Sequence, residues 1–194
     1  MKKTIAKLMA LVMVAGAILT GCGSEGGNDS SSSSSYAPAD AVTMLEEVWA
    51  AYGEDEKFFA MGGDMNNIVD NAPGAYDVAD AEGIDAVLGY PQASVGMIDS
   101  AASLVHAMNA NTFTAGAYNV TETDEVEMLI SDIEDNISNR QWMCGFPDTL
   151  IIVKVGSNMV VTAFGEAQNI ENFKTKLVEV YEGAEVSVEK DLTR

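Results

Sequence analysis

The chain has 194 residues, 47% of them hydrophobic, with 10 Lys and Arg against 30 Asp and Glu and a formal net charge of −20. A surface so acidic repels phosphate backbones, which counts against nucleic-acid binding, and it disfavours direct adsorption on an anionic membrane. The sequence holds no G-x-S-x-G, H-E-x-x-H, C-x-x-C or P-loop, so hydrolase, zinc-protease, thioredoxin-like and nucleotide-binding chemistry lack their usual marks.

The first element in chain order is a leader. Lys2, Lys3 and Lys7 precede an apolar and small-residue run over residues 8–20 that contains no acid. About 20 apolar residues are needed to span a bilayer, so this run is too short to do so, and its charged start and small-residue end are those of a secretory signal. The run ends Leu19-Thr20-Gly21-Cys22, which resembles the lipobox of bacterial lipoproteins. That resemblance implies removal of residues 1–21, a thioether-linked diacylglycerol on Cys22 and Cys22 as the new N-terminus; no other cofactor is expected. Each buried methylene adds about 0.8 kcal/mol, and two or more acyl chains hold where one is marginal, so the protein is expected to be anchored rather than spanning. Its expected place is the outer face of the bacterial cytoplasmic membrane. Loss of the leader leaves 7 bases against 30 acids, a net charge of −23.

Residues 22–35 follow as a tether, with Gly26-Gly27, a serine run over 30–35 and no apolar side chain after Cys22. Such a segment cannot bury surface and behaves as a flexible coil. Residues 36–194 are a normal size for one domain with a real core.

Within that domain, Met44, Leu45, Val48 and Trp49 predict a helix over 41–49 capped by Asp40. Residues 53–91 mix Gly62-Gly63, Asn66-Asn67 and Pro73-Gly74 with acids, and predict loops and one or two short helices. Residues 98–108 fit a helix or a strand; a strand is favoured, with Asn109-Ala110-Asn111 turning it into a second strand over 112–120. Thr121 or Thr123 should cap the next helix, whose buried stripe is Val126, Ile130, Ile133 and Ile137. Runs at 150–155 and 159–164, joined by Gly156-Ser157-Asn158, predict a hairpin. A helix over 169–182 faces inward through Ile170, Phe173 and Leu177 and ends at Gly183, and Val186 and Val188 alternate in a last, half-exposed strand.

From residue 112 onward the order is β-α-β-β-α-β, the split βαβ pattern of the ferredoxin-like fold. The expectation is α+β, a two-layer sandwich with a ferredoxin-like C-terminal part and a helical and loop N-terminal part. A strand over 98–108 strains that expectation, because the first strand of the pattern is already flanked on both sides. Either that segment is a helix, or the last strand lies elsewhere. The lipobox, the serine-rich tether and the stretch from Met108-Asn109 through the acid-started helix to the Gly-Ser-Asn hairpin resemble a family of Gram-positive lipoproteins grouped under a domain of unknown function. The resemblance covers roughly the C-terminal half of the mature chain. It implies the localisation and the α+β class and transfers no activity.

Candidate site residues follow from chemistry. Cys144 is the only cysteine left once Cys22 is acylated, so an intramolecular disulfide is excluded. It sits in Trp142-Met143-Cys144-Gly145-Phe146-Pro147, a dense apolar cluster in which Trp142, Cys144 and Phe146 are the candidate ligand or partner contacts. A reactive thiol needs a nearby base, and the only histidine is His106. The acids Asp64, Asp70, Asp77, Asp80, Glu82 and Asp85, with Asn66, are oxygen ligands of the kind Ca²⁺ takes. Among them Asp77, Asp80, Glu82 and Asp85 come nearest to a site, yet the spacing is not that of a calcium loop and a solvated acidic surface explains them. The functional expectation is a membrane-tethered module that binds an envelope protein or a small ligand without catalysis. The alternative is an enzyme of unrecognised class using Cys144 with His106 or paired loop carboxylates.

Overall fold

The structure, a computed structural model, describes residues 38–143 and 145–193. The leader, the lipobox, Cys22, the tether and Cys144 lie outside the described residues. Among those described, helices α1 (Ala41–Ala50), α2 (Ala81–Leu88), α3 (Val126–Ser138) and α4 (Ala167–Val180) pack on one eight-stranded sheet, and the fold is α+β. The strands are β1 (Ala60–Gly62), β2 (Val69–Asp70), β3 (Gly74–Tyr76), β4 (Ile98–His106), β5 (Phe113–Val120), β6 (Thr149–Val155), β7 (Met159–Gly165) and β8 (Glu185–Asp191). Their order is β2-β1-β4-β5-β7-β6-β8, antiparallel throughout, with β3 sharing the β4 edge with β1.

Most predicted elements stand where the periodicity puts them. Asp40 caps α1 by accepting the Thr43 amide at 2.8 Å, a contact worth about 1 kcal/mol in such positions. The strand reading of 98–108 holds: β4 pairs with β5 along its length, from Ile98 opposite Val120 to Val105 opposite Thr114. β6 and β7 form the expected hairpin, with Gly156 at φ +64 in its turn. The cap on α3 differs. Neither Thr121 nor Thr123 supplies it: Thr121 donates its hydroxyl to the Met97 carbonyl, and the chain enters α3 through a 3-10 turn over Thr123–Glu125 without a side-chain cap.

The layering is a larger departure. β5-α3-β6 is a split βαβ unit with β7 between its strands, but β8 pairs with β6 rather than returning to β5. The reason is occupancy: β4 already holds the far edge of β5. Both helical crossovers therefore step the same way across the sheet, while their starting strands β5 and β7 run in opposite directions. A right-handed crossover then puts α3 and α4 on opposite faces. The side chains show the consequence. Phe113, Ala115 and Ala117 of β5 join α1 and α4 in one core, whereas Tyr118 and Val120 join α2 and α3 in another. Helices cover both sides of the sheet, giving three layers where two were expected.

The N-terminal part is also more than helix and loop, because β1, β2 and β3 add a small ribbon to the β4 edge. Glycine permits it. A Cβ on Gly62 would meet the Gly74 amide nitrogen at 2.3 Å and the Ala72 carbonyl oxygen at 2.4 Å, so these backbones touch only because neither Gly62 nor Gly74 carries a side chain.

Candidate functional site

The loop 63–68 joins β1 to β2 beside the edge where β1 pairs with β4. Asp64 organises this loop. Its buried carboxylate accepts the amides of Asn66 at 2.7 Å, Asn67 at 3.0 Å and Asp77 at 3.2 Å. The Asn66 amide contributes most to holding its carboxyl below the usual carboxylate range, outweighing the burial that pushes the other way. Ser103 adds a hydroxyl bond to the Gly63 carbonyl at 2.9 Å. With its backbone amides tied to Asp64, the loop presents Met65, 81% exposed, and Ile68, 54% exposed, to solvent.

Beneath them lies a cavity of about 240 Å³ lined by Met61, Met65, Ile68, Val87, Val105 and the floor residue Tyr76. Burial and the nearby carboxylates of Asp80 and Asp64 push the Tyr76 phenol up to about 12, so it stays neutral. A second cleft of about 360 Å³ shares Val87 and Ala110 with this cavity and extends to Trp142, Met143 and Phe164. A third, open cleft of about 650 Å³ shares Arg140 with the second and is acidic, bordered by Asp85, Asp132 and Asp135. The three adjoining clefts form a trough that is apolar at the sheet corner, mixed beside Trp142 and Met143, and carboxylate-lined where Asp85 and residues 91–94 face α3.

The predicted contact loop forms the middle of this trough, and its residues divide. Trp142 is half-buried, its ring 5.2 Å from that of Phe164, with the Arg140 guanidinium 5.6 Å above it. Arg140 in turn donates to the Ala86 carbonyl at 3.0 Å and lies 3.7 Å from Asp85, tying the loop to the last turn of α2. Met143 and Phe146 are 83% and 66% exposed. Asn111 holds the loop from the opposite side, donating to the Met143 and Gly145 carbonyls at 3.3 and 3.2 Å. Met108, 78% exposed, extends from the same β4–β5 turn. Cys144 falls outside the described residues.

His106 has a structural task. Its Nδ1 accepts the amides of Met108 and Asn109, each at 3.3 Å, and its ring stacks 5.2 Å from Phe58. The calcium candidates also do local work. Asp77 accepts the Ala79 amide, Asp80 caps α2 through the Gly83 amide, Glu82 lies exposed in the first turn of α2, and Asp85 takes Gln92, Asn136 and Arg140. Among the described residues no group of three or more His, Cys, Asp or Glu side chains is arranged to hold a metal ion.

Residue-level reading of the sequence missed Met65, Ile68, Val87 and the organising role of Asp64. The available signal was Asp64-Met65-Asn66-Asn67, an Asx-type turn with a large apolar side chain placed where it cannot turn inward. Comparison with family models, with curated proteins and with solved structures returns no match for this chain.

Proposed function

We propose that the chain is a lipid-anchored extracytoplasmic binding module, held by Cys22 at the outer face of the bacterial cytoplasmic membrane, that docks a partner on the trough. The anchoring half of this reading rests on the positive leader, the lipobox and the Gly/Ser tether, and the resemblance to Gram-positive lipoproteins agrees with it. One observation carries the binding half. Met65, Ile68 and Met143, all more than half exposed, line two adjoining clefts whose lining is largely apolar. Water-exposed apolar side chains scattered singly need no explanation, but a contiguous group around a concave surface marks an interaction site.

The anchor is tested by replacing Cys22 with serine and fractionating cells. The wild type should partition with detergent and membranes, and Cys22→Ser should be released or remain unprocessed while the domain keeps its circular dichroism spectrum. Wild-type protein found in the aqueous phase would remove the anchor from the proposal.

A further inference from the structure

We infer that the occupant of the trough is a basic amphipathic segment of a partner protein, one that seats a large apolar side chain in the Met61–Val105 cavity and reaches Asp132 and Asp135 with a lysine or arginine. This rests on the binding-module reading and specifies its partner.

Size limits the anchor. An apolar cavity of about 150 Å³ accepts benzene, and whole small-molecule ligands occupy pockets of roughly 300–1,000 Å³. At about 240 Å³ this end of the trough suits one large side chain, and the adjoining clefts of about 360 and 650 Å³ give room for a segment that continues beyond it. The exposed Met65 on its rim and the partly buried Met61 in its lining suit a polypeptide too, since unbranched, polarisable side chains adapt their packing to a docked helix or strand. Charge sets the rest of the segment. Among the described residues every basic side chain, Lys57, Arg140, Lys154, Lys174, Lys176 and Lys190, lies 2.6–3.7 Å from a carboxylate. Among the described residues each cation already has a carboxylate neighbour, so an acidic partner would have to compete for it. The trough ends instead at Asp132 and Asp135, where Arg140 is the only basic residue lining the cleft and is already engaged by Asp85. Anionic lipid and a second copy of this acidic chain are disfavoured by the same surplus, while a cationic segment gains from it at encounter and in the complex.

The test measures binding of a synthetic amphipathic Leu/Lys peptide to the mature lipidated chain in zwitterionic nanodiscs, with empty nanodiscs as the blank. Two control peptides carry Glu for every Lys, or Ser for every Leu. The Leu/Lys peptide should bind at least about tenfold more tightly than either control, and its affinity should fall as salt rises. Met65→Ser with Ile68→Ser, both at exposed positions, should weaken it about tenfold, as should Asp132→Asn with Asp135→Asn. Equal binding of the Glu peptide, or of the Ser peptide, would overturn the proposal. So would unchanged affinity in both double variants, or wild-type self-association that Met65→Ser with Ile68→Ser abolishes. Crosslinking in intact cells separates this from the broader reading. A partner captured equally by wild type and both double variants defeats the trough assignment alone, whereas no captured partner defeats the binding module itself.

Discussion

Asp64 shapes the 63–68 loop through the backbone amides its carboxylate accepts. A carboxylate accepting several amide bonds is favoured in its charged form, so its folded pKa lies below the unfolded value of about 3.9. A group depressed in this way contributes stability above the unfolded pKa and loses it as pH falls through the folded one. Asp64→Asn should therefore lower the melting temperature at neutral pH, and the gap from wild type should close progressively below about pH 4. A gap that stays constant on acidification would mean that the charge of Asp64 does not hold the 63–68 loop. Glu56 and Asp191 are also shifted downward, chiefly by the Gly53 amide and the Thr193 hydroxyl respectively. They titrate alike in both proteins, so the difference isolates Asp64.

Among the elements, the 142–146 loop and the β1–β3 ribbon respond differently to substitution. Trp142 packs against Phe164 and Arg140 yet remains half-buried. Trp142→Ala should therefore cost about 2 kcal/mol, below the roughly 3–5 kcal/mol of a fully buried aromatic. Phe146→Ser, at an exposed position, should leave the chemical-denaturation midpoint unchanged. A neutral Trp142→Ala would show that the ring does not hold the loop. In the ribbon, Gly62→Ala forces a methyl group into the backbone of residues 72–74. Overpacking of this kind costs typically about 1–3 kcal/mol, and here the obstruction is backbone, which cannot rotate away. Thermal unfolding should show a loss in that range or beyond, and wild-type stability in Gly62→Ala would contradict so close an approach of β1 to β3.

For the whole molecule, charge is the dominant collective property. The ion pairs are largely solvent-exposed, and exposed pairs are worth about 0–1 kcal/mol each. Self-repulsion of an acidic surface opposes the compact state, and with 30 acids against 10 bases in the full chain repulsion should outweigh the pairs. Raising ionic strength from about 0.01 M to about 0.15 M shortens the screening length from about 30 Å to about 8 Å. The melting temperature of the protein should therefore rise with sodium chloride over that range. A fall would show that the surface pairs matter more than the repulsion.

How much of this was legible in the chain depends on whether the signal is local. Helix α1 and its Asp40 cap, the stripe of α3, the β6–β7 hairpin and the inward face of α4 are consequences of side-chain period and turn chemistry within a few residues, and they stand as the periodicity predicts. The α+β class follows from those elements alone. The side of the sheet on which each helix lies does not, because it depends on which edge of β5 is free when β8 arrives, and β4 had taken that edge from earlier in the sequence. The ribbon of β1–β3 escaped for a related reason: strands of two or three residues carry no measurable alternation, and they form by pairing, β1 and β3 on the β4 edge and β2 on β1. The trough is the most non-local feature of all. Trp142 stands out in its own neighbourhood and Met65 carries a local turn signal, but Val87 and Ala110 do neither, and only the fold brings all four to adjoining clefts.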